Sequence, residues 1–347
     1  MSSIRSTADS DDRDAGAPSG PLADPAPGRS VRRAVLALAF VTAAALIPLL
    51  GPSAALHGTG EAAAPGVGGI GLLRAVLFVA LCIPAGELFV ARLARRVPGA
   101  PPAAVPRSWA PYAACAGFVA ALGLASVVAT GNLVPHTLGQ IDVGGLYRTR
   151  DGALALLEVN AFLVAGLCAL ARRTSLSVWP LAAVVVAEAL RAHPTTEHSP
   201  LVGSVLTLVH LTCASLWAGG LLYVLRTLRH WRTAPQAGAA LLGRYARVAA
   251  VLLAALTATG TWSSLRRMPR QTILEQLTHT AYGRTLLAKL LLVAVVAALA
   301  LIARLRLRRA DDPLGACTPA RAEVAALGLV VAVSGLLTAL PLPIRWS

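Results

Sequence analysis

The sequence predicts an all-α polytopic transmembrane bundle of about nine spans, with the N-terminus inside and the C-terminus outside. Three observations predict it. First, 56% of the 347 residues are hydrophobic and only 14% are charged, where a typical globular domain carries about 25% charge. A soluble surface cannot be covered with so few charges. Second, the chain contains repeated apolar runs of the length needed to cross roughly 30 Å of hydrocarbon. Third, its basic residues gather in short segments between those runs, on alternate sides.

Taken in order, residues 1–30 are rich in Ser, Asp, Pro, Gly and Ala without an apolar period, and the segment through 33 reads as a disordered cytoplasmic tail. The apolar runs follow at 34–56, 68–91, 110–131, 152–171, 175–190, 203–228, 246–262, 285–303 and 323–340. The fifth is the shortest, and its Pro180 is tolerable only where neighbours satisfy the freed backbone. Five spans make an N-terminal bundle over 34–200 and four make a C-terminal domain over 201–347.

Arg and Lys bias sets the orientation. With the N-terminus inside, the cytoplasmic segments hold 21 of the 31 basic residues and the outer segments eight, while Arg74 and Lys289 lie near span ends. One outer loop, 264–284, carries four Arg. Its Ile273, Leu274 and Leu277 suit a short amphipathic helix in the interface, which would place those Arg among lipid headgroups.

The net charge of +15 does not indicate nucleic-acid binding, because no basic stripe with interleaved aromatics is present. The five cysteines form no CxxC pair or disulfide framework. No Ser–His–Asp arrangement, phosphate-binding glycine loop or metalloprotease helix occurs, so no enzymatic activity on an organic substrate is expected. Transport, if it occurs, would be passive or gradient-coupled.

The polar residues inside the spans carry the functional signal. Six of the seven histidines fall on the outer side, and histidine is the commonest metal ligand. His57, His136, His198 and His279 lack local ligand spacing and read singly as solvated loop residues. His210 differs, because it lies about 10 Å below the outer end of the sixth span, where ionisable groups face a cavity or a partner. Cys213 and Trp217 share its helical face. Imidazole and thiolate together suit copper(I), and His193, at the end of the fifth span, is a candidate third ligand. Glu158, Glu188 and Lys289 lie in the outer thirds of their spans. The carboxylates are candidate third ligands or supporting groups, and a Glu–Lys pair is an alternative. Glu87, near an inner end, reads as structural. With Met only at positions 1 and 268, a path lined by thioethers is excluded.

The C-terminal half resembles the copper resistance protein D (CopD) family of bacterial inner-membrane proteins. The resemblance rests on His210-Leu-Thr-Cys-Ala-Ser-Leu-Trp217-Ala-Gly219-Gly220-Leu, on Thr280-Ala-Tyr282-Gly283-Arg284-Thr-Leu-Leu-Ala-Lys289-Leu, and on Arg321 and Glu323 opening the last span. It covers about 202–340. It implies copper handling at the cytoplasmic membrane, inward from an outer donor, with a separate CopC-like copper-binding protein as partner, and copper in either oxidation state as cargo. His210 and His193 match family positions, the latter preceded by Ala192 where the family has Gly. Cys213 stands where a small residue is expected. Two other classes stay open at this point: a b-type cytochrome-like electron carrier, which needs axial histidines on facing helices, and a ligand-free membrane scaffold.

Overall fold

In lipid an apolar segment outside a closed barrel satisfies its backbone polar groups by folding as a helix, and the chain repeats that solution throughout. The computed structural model describes residues 27–340, apart from 63, 102–103, 132, 136, 196–198, 269–270 and 310–316. Eleven α-helices occur among them: α1 (Pro27–Leu56), α2 (Val67–Ala94), α3 (Ala110–Ala129), α4 (Val143–Arg148), α5 (Arg150–Leu170), α6 (Val178–Arg191), α7 (Pro200–His230), α8 (Pro235–Arg267), α9 (Ile273–His279), α10 (Ala281–Arg309) and α11 (Cys317–Ala339). No strand is present among the described residues. Residues up to Val41 form one unit and those from Thr42 another. Of the expected tail, 1–26 lies outside the described residues, and helix already begins at Pro27.

Eight helices are long and apolar enough to cross a membrane, among the described residues. The exception is the fifth apolar run, which folds as the 14-residue α6, about 21 Å long at 1.5 Å per residue. Polar residues shorten it at both ends: Arg172–Ser177 turn before it, and Arg191 and His193 close it. It nevertheless carries the chain from one end of the bundle to the other. Arg150, opening α5, donates to the Leu190 carbonyl near the end of α6 at 2.8 Å. His193, just beyond α6, lies against Gly203 near the start of α7. So α5, α6 and α7 alternate in direction, and the short helix completes nine traverses.

Two apolar cores hold the second unit together. In one, Leu77, Leu81, Leu124, Phe162, Leu181 and Val184 join α2, α3, α5 and α6. In the other, Trp217, Val224, Leu241, Tyr245 and Leu327 join α7, α8 and α11, with Val90 of α2 at its edge. The α2–α7 crossing is close because it is lined by glycine: a Cβ on Gly219 would fall on the Cys82 carbonyl, and one on Gly86 on the Gly219 backbone. Small residues let helix backbones approach where no hydrophobic effect drives them together.

The two ends of the bundle differ. At one, Glu87 accepts from Ser108 Oγ (2.5 Å), the Trp109 amide (2.7 Å) and Arg226 Nη1 (3.2 Å). Arg226 also stacks 3.7 Å over the Trp109 ring, so Glu87 has the structural role expected of it. At the other end, α9 is the short helix expected in the 264–284 loop. Ile273 and Leu277 pack on Met268 and Tyr282, while Leu274 is 78% exposed. Two of that loop's four arginines tie it down: Arg266 donates to the Ser199 carbonyl and Arg284 to those of Thr278 and His57.

Candidate functional site

The expected polar residues separate into two centres, both toward the end of the bundle where α5, α7 and α10 begin. The first is built on α7 and α8. His210 is half-buried, and its Nδ1 lies 3.0 Å from Thr259 Oγ1. Thr259 has one hydroxyl hydrogen, and that is donated to the Ala255 carbonyl at 2.7 Å, the usual back-bond of a helical threonine. Toward His210 it therefore accepts. The imidazole also meets the Leu256 backbone carbonyl, and the network with Thr259 assigns a ring hydrogen to Nδ1. A Cβ on Gly260 would meet Cε1 of the ring at ordinary van der Waals distance, 3.5 Å. Lys289 of α10 lies close enough to act on the imidazole by charge.

Below His210 on α7, Cys213 and Trp217 are buried in the apolar core. The Trp217 carbonyl accepts from the Tyr245 hydroxyl at 2.6 Å, and its indole hydrogen-bonds the buried carboxyl of Glu323 on α11. Tyr282, singled out with the family motif, is 5% exposed and packs on Met268, Leu286 and Leu337.

The second centre joins α2, α5 and α6. Arg191 Nη2 lies 2.8 Å from Glu158 Oε2 and also contacts Glu188 Oε1. Arg74 Nη1 lies 3.5 Å from Glu188 Oε2. Beside this cluster, His193 is 3% exposed. Its Nε2 is 2.9 Å from Thr207 Oγ1, and its ring lies flat on Gly203, whose Cβ would collide with it.

The structure does not unite His210, His193, Cys213, Glu188 and Glu158 in one metal site: no group of three or more His, Cys, Asp or Glu comes together among the described residues. Glu158 and Glu188 are taken by arginines, which neutralise the charge a metal would need, and the Glu–Lys alternative is replaced by Glu–Arg pairing. His193 turns to Thr207. Sequence reasoning missed Arg191, Arg74 and Thr259. A search for basic partners of the two span-buried carboxylates would have found the arginines. Nothing in the sequence marks Thr259, one of three threonines on its helix. His136 and His198 lie outside the described residues.

Eight helices long and apolar enough to cross a membrane, among the described residues, define a multi-pass membrane protein. Residues 239–340, just under a third of the chain, match the model of the family described as CopD, copper resistance protein D. The matched segment takes in α8 to α11, with Thr259, Tyr282, Lys289 and Glu323, and leaves His210 outside it. No curated protein and no solved structure matches the chain significantly.

Proposed function

We propose that the protein moves copper inward across the cytoplasmic membrane from an outer donor, a separate CopC-like protein, and that His210 is the first group inside the bundle to take the ion. The reading is carried by the hydrogen bond from His210 Nδ1 to Thr259. Metal-binding imidazoles are oriented by such a bond at the other ring nitrogen. Cys213, one turn further along α7, supplies a soft sulfur. The neighbouring Lys289 charge opposes a resident cation and suits a site through which copper passes. Copper is therefore cargo, and no organic substrate is converted.

The test is cellular copper with wild-type protein and with His210→Ala at matched membrane levels. The variant loses the copper-dependent change, and Cys213→Ala loses less. Equal copper with normal amounts of His210→Ala refutes the assignment. A Soret band in the purified protein would instead favour an electron carrier.

A further inference from the structure

The α2–α5–α6 charge cluster has no part in the copper site, yet it contains Glu158, a glutamate with 0% exposure. One guanidinium nitrogen, Arg191 Nη2, serves two carboxylates there, which sets the carboxyl groups of Glu158 and Glu188 side by side. Two carboxyl groups in contact away from water do not both stay ionised unless each is fully compensated. The compensation is unequal. Glu188 has Arg191 on one oxygen and Arg74 on the other. Glu158 has only the shared Arg191 nitrogen, and neither of its oxygens makes a well-formed hydrogen bond. A hydrogen on Glu158 resolves both defects, because it can be donated to Glu188 and it removes one of the two negative charges.

Among the described residues, three ionisable side chains act on Glu158, with His193 beside them. From α6 it meets Glu188 and Arg191, and from α2 Arg74. The titratable groups of α3, Tyr112 and Cys115, are exposed, as are Tyr147 and Arg148 of α4.

We propose that Glu158 is a proton-binding site, and that copper movement is coupled to the proton taken up and released there. The coupling rests on the transport reading above, whereas the proton site does not. Arg74 is the most exposed member of the cluster, at 22%. The cluster also touches the copper-bearing helix: His193 follows Arg191 by two residues and leans on Gly203 and Thr207 of α7, one turn from His210.

Two measurements on the full-length protein separate these statements. Infrared difference spectra of copper-free protein, titrated from about pH 5 to about pH 9, should show a protonated-carboxyl C=O band that Glu158→Gln removes and Glu158→Asp shifts. If neither variant changes the band, or no such band exists, the proton site is wrong. In lipid vesicles loaded with a pH-sensitive dye, copper flux should be accompanied by a change in lumenal pH, and an imposed pH gradient should alter the flux by about tenfold. Copper flux without either effect overturns the coupling while leaving the transport reading intact. Wild-type protein that moves no copper defeats the transport reading and the coupling with it, and the infrared band still decides the proton site.

Discussion

Thr259 fixes the tautomer of His210 across the α7–α8 interface. Its hydroxyl hydrogen is spent on the Ala255 carbonyl of its own helix, so it receives the imidazole N–H at 3.0 Å. Thr259→Val removes that acceptor at nearly constant volume, whereas Thr259→Ser retains it. Copper affinity, read by titration calorimetry, should fall about 10–100-fold for the valine variant, as it does when metal-orienting partners are lost. It should change little for serine. Equal affinities for the two would show that the hydroxyl does not orient the ring.

Gly203 is the floor on which His193 rests. Gly203→Ala places a Cβ inside the ring's volume, so the ring must leave Thr207 or α7 must shift. Overpacking of this kind costs about 1–3 kcal/mol. The variant should melt at lower temperature in detergent and expose His193 to a histidine-modifying reagent. Unchanged reactivity and melting would mean that the contact is loose.

Gly219 should tolerate no side chain. A Cβ there meets the backbone carbonyl of Cys82, which cannot swing aside as a side chain can. Gly219→Ala should destabilise by about 3 kcal/mol, seen as a lower melting temperature and reduced membrane accumulation, while Gly69→Ala, with open space around it, should not.

Arg226 holds the opposite end of the bundle, between Glu87 and the Trp109 face. Arg226→Ala leaves Glu87 buried with its charge only partly compensated, and should cost about 3 kcal/mol. Arg226→Lys, which keeps the charge and loses the planar stack, should recover part of it. Thermal melts of the two variants check the order.

The Arg and Lys bias predicts the N-terminus inside and, over nine spans, the C-terminus outside. An enzymatic reporter fused after Ser347 should be active on the outer side of the membrane. Cytoplasmic activity would overturn the orientation read from the Arg and Lys bias.

What the sequence determined by itself was the architecture. Length and apolarity of the runs dictate helices, because lipid leaves no other way to satisfy the backbone, and the eight long spans and α9 stand where the runs lie. The motif from Thr280 to Lys289 lies within the matched stretch 239–340, whereas the motif around His210 lies outside it. What only the tertiary structure decided was pairing. The sequence shows Glu158 and Glu188 within spans and Arg191 at a span end, but their ion pairs depend on α2, α5 and α6 meeting at one depth. Thr259 is 49 residues from the ring it orients. A residue's spacing along its own helix shows which face it occupies, but which neighbouring helix fills that face follows from side-chain packing between segments distant in sequence.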